Sequence, residues 1–391
     1  MTKRIRVAQV ITRFMAGAGG VALRGALALD SSRYEVDFVI GSGDRLIDQA
    51  RSAGLDVVTV EALRSEIAPT SDLKALHELT SILGSGQYDI VHTHSAKAGT
   101  LGRLAARRAR VQRIVHTFHG FPFHEFQSPL RRTTYVAIER YLGQFTDAFL
   151  AVGPAIAAEA IRRNISPPEK IRTIGVAVPI GSPPGIADRA EARRLLGVPL
   201  GMQAVGTVGR LDYQKAPEDF VEAIAGLDRQ DVFGVWIGDG PYRHKVERLV
   251  AKRGLSERFA FLGDRSDVGR LLPGFDVFAM ASLYEGLPCA IVEAMAAALP
   301  VVATAVNSVP NIVIPGKTGL LAPPARPDLL GNAISYLIDN PMFASKIGAQ
   351  GRRSLDQEMS PSALAEALDS AYQELFEATP PPKVEVLEQA S

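Results

Sequence analysis

The sequence holds one cysteine, Cys289, in 391 residues. A lone thiol excludes an internal disulfide and any metal centre built from several cysteines, and it suits a reducing cytoplasm. Long apolar runs are missing too: no stretch approaches the roughly 20 uncharged apolar residues that cross a bilayer, so a soluble or peripheral protein is expected. The opening segment MTKRIRVAQVITRF is basic and then apolar, but Arg13 interrupts it and no small-residue cleavage site follows. It reads as a first buried strand, not a signal peptide. Net charge is nearly absent, at +1. That balance hides an asymmetry: residues 1–175 carry 23 Lys+Arg against 16 Asp+Glu, a net +7, and the remainder a net −6. The basic half is a candidate partner for an anionic surface. Its arginines lack interleaved aromatics and no binding motif accompanies them, which argues against nucleic acid.

With 47% hydrophobic residues, a chain of this length buries two cores, so two domains are expected. Apolar runs alternate with helical patterns. IRVAQVI, YEVDFVI, LDVVTV, YDIVHTH, RIVHTF and AFLAVG read as strands in the first half, and AVGTVG, VFGVWIG, FAFLG, VFAMAS, PVVAT and GLLAP in the second. Such alternation implies an α/β protein with parallel sheets covered on both faces. The Pro/Gly-rich segment AVPIGSPPGIADRA is the expected linker. The expected division is 1–178 and 179–361. Two doubly wound domains place the carboxyl ends of their strands at a common cleft, where ligands bind.

The segment Glu285-Gly-Leu-Pro-Cys-Ala-Ile-Val-Glu293 sets two carboxylates around a turn that opens an Ala-rich helix. Pro288 suits the first helical position, and the helix is expected to run until Pro300 blocks it. Unpaired N–H groups from Gly286 to Ile291 favour an anionic or hydroxyl-rich ligand, and flanking carboxylates accept hydrogen bonds from vicinal hydroxyls. Taken alone, the segment equally permits an N-terminal acid followed by a solvent-facing Glu.

Other clusters fall at expected strand ends. Phe14-Met-Ala-Gly17-Ala-Gly19-Gly20 is a glycine-rich turn entering a helix, able to bring backbone N–H groups close to a phosphate or sugar, or to serve only as a tight turn. Val208-Gly209-Arg210-Leu-Asp-Tyr-Gln-Lys215 sets a bidentate fork and a mobile point charge on one loop. The pair suits a diphosphate; a solvated basic loop is the plainer alternative. Gly238 and Gly263, the latter followed by Arg265, are strand-end residues that could line a flat base. Of seven histidines, five cluster in the first half, at His92, His94, His116, His119 and His124. His92 and His94 share a strand face, as a zinc site would need, but no acidic ligand of metal spacing accompanies them, and a packed pair is the alternative. His119 sits just past a strand, placed to contact a reacting sugar.

In their order, the Gly-rich loop, His-Thr-His-Ser-Ala-Lys-Ala-Gly, Thr-Phe-His-Gly, Gly-Arg-Leu…Lys and Glu-x7-Glu resemble the retaining glycosyltransferases of family 4, of GT-B fold. The resemblance runs from about Val7 to Asp339. It implies two Rossmann-like domains, the acceptor bound mainly by the first and the nucleotide sugar by the second. A last helix near 362–378 is implied to pack back on the first domain. Arg210 and Lys215 would hold the donor diphosphate, with Gly19 or Gly20 in backbone contact. Glu285 would bind hexose hydroxyls beside the N–H groups of Gly286 and Leu287, Glu293 the ribose, and His119 the transferred sugar. Gly209, Gly238, Gly263 and Arg265 complete the donor set. No metal or other cofactor is expected, consistent with the lack of a clear Asp-x-Asp, and UDP is the expected nucleotide. Two departures concern loop geometry: Ala216 follows Lys215 where glycine is common, and Gly20 leads into Val21-Ala22-Leu23 without the acid often seen there.

For the acceptor, His94, Ser95 and Lys97 are nominated. Arg103, Arg107, Arg108, Arg110 and Arg113, with Arg131 and Arg132, would form a basic face suited to a lipid-linked phosphate on the inner side of a membrane. A small soluble acceptor fits a merely solvated face. Two other functions share the architecture: a sugar-nucleotide epimerase, which needs carboxylates placed for proton transfer to carbon, and a nucleotide-sugar-binding module without turnover.

Overall fold

The computed structural model describes residues 3–15, 17–355 and 359–377. The expected end of the last helix, residue 378, lies outside them. The first half builds a sheet from β1 (Ile5–Phe14), β2 (Tyr34–Gly43), β3 (Asp56–Thr59), β4 (Ile90–His94), β5 (Arg113–Phe118), β6 (Ala148–Ala151) and β7 (Ile171–Thr173). Their order is β3-β2-β1-β4-β5-β6-β7, every pairing parallel. The connecting helices are α1 (Ala18–Ala28), α2 (Arg45–Ser52), α3 (Pro69–Ser85), α4 (Ala96–Arg108), α5 (Pro129–Gly143) and α6 (Pro154–Arg162).

The second half repeats the winding. β8 (Gln203–Val208), β9 (Val232–Ile237), β10 (Phe259–Phe261), β11 (Val277–Met280), β12 (Val301–Thr304) and β13 (Leu320–Ala322) pair in the order β10-β9-β8-β11-β12-β13. Its helices are α7 (Ile186–Leu196), α8 (Pro217–Ala225), α9 (Arg243–Lys252), α10 (Val268–Leu271), α11 (Cys289–Ala296), α12 (Val309–Ile312), α13 (Pro327–Asp339) and α14 (Pro341–Ser354). Central strands such as β4, β5 and β9 are buried along their whole length, as strands covered by helices on both faces must be.

Several boundaries differ from expectation. The linker segment is only partly loop, because α7 begins at Ile186 and ends on Gly197, whose φ of 71° is the left-handed cap that glycine adopts without strain. β7 escaped notice because three residues, two of them exposed, carry too little pattern to register. Pro288 is the residue before α11, with ψ at 115°, and α11 ends at Ala296 rather than at Pro300.

The last helix, α15 (Pro361–Glu377), lies on α1. Leu364, Leu368, Ala371 and Tyr372 are its buried residues, and fully burying a side chain of Leu size stabilises by about 1.5–3 kcal/mol. Gly25 permits the close crossing, since a Cβ there would stand 2.8 Å from a methyl of Leu368. Polar ties fix the register: Tyr34 donates to Asp369 at 2.6 Å and Arg113 to the Leu375 carbonyl at 2.6 Å.

In both sheets the strand order reverses beside the first strand, between β1 and β4 and between β8 and β11. Those switch points open a crevice at the carboxyl ends of the strands. The loops there carry nearly all the residues singled out above.

Candidate active site

At the switch point of the second sheet, the loop after β8 carries Arg210 and Lys215. Lys215 points inward, its Nζ donating to the Glu285 carboxylate, and both side chains are largely buried. Gln214 donates to the Tyr284 carbonyl at 3.0 Å and to the other Glu285 oxygen at 3.3 Å. Asn307, on the loop after β12, accepts from the Glu285 backbone N–H at 2.9 Å. Glu285 is thus held from three directions. Arg210 is half exposed at the cleft and paired with Asp212 at 2.7 Å.

Two glycines make this packing possible. A Cβ on Gly238 (φ 126°) would stand 2.2 Å from the Gly209 carbonyl, while Gly209 lies under the Lys215 stem. Gly238 and Gly263 meet in a single antiparallel bridge over the strand ends. Arg265 is already clamped by Asp267, through bonds of 2.8 and 2.7 Å.

Gly286 and Leu287 follow Glu285, and their amide N–H groups have no partner among the described residues. Glu293 lies in the second turn of α11, where burial raises its carboxyl pKa and Arg24 of α1 opposes the rise. Burial, reinforced by Glu293, pushes the Cys289 thiol up to about 11. Arg24 was missed from sequence. Its guanidinium lies over Gly20, 3.0 Å from where a Cβ would be, and donates to the Val176 carbonyl at 3.0 Å. Gly19 and Gly20 fall inside the first turn of α1, not in the loop, with Gly17 as its N-cap at φ 76°.

The first-half loops face this constellation. Gly286 abuts them so tightly that a Cβ there would lie 1.9 Å from the His119 carbonyl, and a Cβ on Gly120 (φ 145°) would lie 3.6 Å from the Gly286 nitrogen. His119 therefore sits beside the free amides next to Glu285.

The acceptor nominations are corrected in part. Both ring nitrogens of His94 are bonded, to His119 at 2.9 Å and Gln9 at 2.6 Å, so none is left for a ligand. Lys97 Nζ is taken by both Asp72 oxygens at 2.7 Å. Ser95, at the N-cap of α4, is half-buried and 3.3 Å from the Thr12 hydroxyl. His92 and His94 do stack, at 4.3 Å, but as hydrogen-bonded core groups. Among the described residues, no three His, Cys, Asp or Glu side chains are grouped to hold a metal ion.

The basic face is corrected as well. Arg103 is fully buried, donating to Glu139 at 2.6 Å, and Arg113 is mostly buried beneath α15. The Ala, Leu and Arg residues of α4 give no sign in the sequence that Arg103 alone points inward toward α5. A cavity of about 480 Å³ lies beside the cleft, lined by both halves: Phe121, His124, Phe126 and Arg131 from the first, Tyr213 and Tyr284 from the second. His124 stacks on Tyr284 at 3.9 Å.

Two facing parallel sheets, with a cation–carboxylate cluster at one switch point and His119 across from it, define a GT-B glycosyltransferase. The chain belongs to the glycosyl transferases group 1 family: that family's model matches residues 188–354, and the glycosyl transferase 4-like domain matches residues 16–177. It is 30% identical over 312 residues to the Escherichia coli UDP-Gal:alpha-D-GlcNAc-diphosphoundecaprenol alpha-1,3-galactosyltransferase, covering 78% of this chain and 80% of that one. To the D-inositol 3-phosphate glycosyltransferase of Corynebacterium diphtheriae it is 26% identical, over 73% of this chain and 70% of that one. The crystal structure of Anabaena HepE in complex with UDP and glucose matches the fold with a TM-score of 0.81, at 20% identity, over 95% of this chain and all of the other. Glycosyl transfer, rather than epimerisation or binding alone, is the chemistry of this family.

Proposed function

We propose that the protein transfers a hexose or N-acetylhexosamine from a UDP-sugar to a hydroxyl of a lipid-linked glycan, with retention of anomeric configuration and without a metal ion. The observation that carries this reading is the Lys215–Glu285 pair with Arg210 beside it, at the second switch point and against His119. Arg210, Lys215 and the free N–H groups of Gly286 and Leu287 supply positive charge where a departing diphosphate develops negative charge. Glu285 and Glu293 accept from hexose and ribose hydroxyls, while Gly19, Gly20, Gly209, Gly238 and Gly263 keep the walls thin. In the retaining step the C1–O bond to the diphosphate breaks and the acceptor oxygen bonds to C1 on the same face. The acceptor's proton passes to the leaving phosphate oxygen.

The aromatic cavity beside the cleft is shaped for an acceptor sugar ring, with Arg131 at its edge for a phosphate. The E. coli relative acts on a diphosphoundecaprenol-linked sugar, which favours a lipid-linked acceptor. No described helix is long and apolar enough to cross a membrane. Exposed Leu130, Ile138 and Tyr141 run along one stripe of α5, with Arg131 and Arg140 on its flanks. That pattern suits peripheral attachment to the anionic inner face of a membrane.

The test is a reaction of the purified protein with UDP-sugars in EDTA, offered either a short-chain GlcNAc-diphospho-lipid analogue or D-inositol 3-phosphate. UDP release only with the lipid analogue, and an α-linked product by NMR, are expected. Release only with inositol 3-phosphate would overturn the acceptor reading, and strict dependence on added Mg²⁺ or Mn²⁺ the metal-free one.

A further inference from the structure

A continuous chain of buried hydrogen bonds runs from α15 to His119. Tyr372 contacts His92 Nδ1 at 2.6 Å, and His92 Nε2 contacts the Thr117 hydroxyl at 2.7 Å. Gln9 Nε2 donates to the Tyr372 oxygen at 3.1 Å, and Gln9 Oε1 lies 2.6 Å from His94 Nε2. His94 Nδ1 then meets His119 Nε2 at 2.9 Å. β1 and β4 pair Gln9 with His92, β4 and β5 pair His94 with Thr117, and Tyr372 closes the face from above. The void beside these groups is about 10 Å³, at the lower limit for a single water, so solvent does not replace their bonds.

Burial keeps these rings neutral. It brings the His92 pKa down to about 3 and the His119 pKa to about 4, and holds His94 well below its ordinary value. In a neutral imidazole one nitrogen donates and the other accepts, so each bond dictates the next. The 2.6 Å contact fits an amide oxygen facing a ring N–H and is too short for two nitrogens. His94 therefore carries its proton on Nε2 and accepts at Nδ1, and the donor there is His119 Nε2–H. At the other end, Tyr372 accepts from Gln9 and gives its own proton to His92 Nδ1. A reversed Gln9 amide would reverse every bond; the spacing selects the direction, since 2.6 Å to His94 admits the amide oxygen while the Tyr372 oxygen at 3.1 Å suits the amide nitrogen.

We propose that Tyr372, Gln9 and His94 are positioning residues that lock His119 in the Nε2–H tautomer, leaving its Nδ1 as a bare acceptor for a hydroxyl of the transferred sugar. His119 Nδ1 makes no hydrogen bond to a described residue, and the ring is partly exposed beside Gly286. The proposal rests on the reading of His119 as a sugar contact. It gives the C-terminal helix a part in the site that its distance along the chain conceals.

The experiment reads ring nitrogens by NMR in protein labelled with ¹⁵N-histidine, without substrate, the His119 signals being assigned by their loss in His119→Asn. The parent is expected to show protonated Nε2 and bare Nδ1. In Tyr372→Phe the Gln9 amide is free to turn, so His119 becomes a mixture of tautomers. There kcat should fall about tenfold, the worth of one hydrogen bond, with the UDP-sugar KM changed less than about twofold. Gln9→Leu removes the acceptor of the His94 proton and should give the same mixture, which keeps the test alive if Tyr372→Phe does not fold. A proton on Nδ1 in the parent, or an unchanged tautomer and kcat in the variants, overturns the proposal. Failure of the parent to turn over any UDP-sugar would instead overturn the donor assignment, because the tautomer is measured without substrate.

Discussion

Lys215 and Glu285 show what single residues carry here. In the free protein each neutralises the other inside the cleft wall. In the proposed reaction Lys215 turns to a donor phosphate and Glu285 to sugar hydroxyls, each exchanging its present partner for the ligand. Lys215→Ala is expected to lower kcat/KM well over tenfold, since a desolvated charge contact to the diphosphate is lost in the transition state; unchanged kinetics would remove the assignment. Ala216 is a second case. Its φ of 44° is left-handed, a conformation that costs a Cβ-bearing residue about 1–2 kcal/mol. Ala216→Gly should therefore leave stability unchanged or raise it by up to about 1 kcal/mol, whereas Ala223→Gly inside α8 should cost about 1 kcal/mol. Equal losses at both sites in urea unfolding would contradict the strain. That alanine stands at 216 where glycine is common was visible in the sequence, but its backbone consequence was not.

At the scale of elements, β4, β5 and the loop beyond carry four histidines, His92, His94 and His116 buried and His119 partly so, whose pKa values desolvation holds below the ordinary 6.5. In the unfolded chain they take up protons as pH falls through about 6.5, and in the folded chain they do not. Stability from these groups is thus complete above that value and is lost as pH falls toward their depressed folded values. Calorimetry at pH 5.5 in buffers of different ionisation enthalpy should find unfolding coupled to uptake of roughly four protons, and uptake near zero would refute the buried neutral rings. The other element-scale prediction concerns the Arg103–Glu139 pair between α4 and α5. Arg103→Ala strands a buried carboxylate and should cost about 3–5 kcal/mol, while Arg103→Met with Glu139→Leu should recover most of that loss. Periodicity located both helices but treated Arg103 as surface. Whether an arginine on an Ala-rich helix faces out or in depends on the neighbour, and Glu139 lies 36 residues away.

For the whole molecule, the decisive contact is the approach of one half to the other at Gly286. With a Cβ clash of 1.9 Å against the His119 carbonyl, Gly286→Ala should force the cleft apart by a fraction of an ångström to an ångström. A misplacement of that size costs on the order of a hundredfold in turnover. The thermal melt should change little, because the clash falls on a contact between two loops, after β5 and after β11, and not within either sheet. Full activity in Gly286→Ala would mean that the halves need not close at this point.

The sequence by itself determined the class of fold, because strand–helix alternation with short spacings has few packed solutions. It also picked out the two loops that meet at the second switch point, because Gly209–Lys215 and Glu285–Glu293 concentrate their polar groups in local runs at strand ends. Only the tertiary structure decided what depends on pairing across distance. It sent Lys97 to Asp72 and His94 to Gln9 and His119. It brought Asn307 and Gln214 to Glu285, and it laid Tyr372 over His92. Hydrogen-bond partners of buried polar groups are set by which strands and helices neighbour one another, and a linear pattern records the need for a partner without recording its identity.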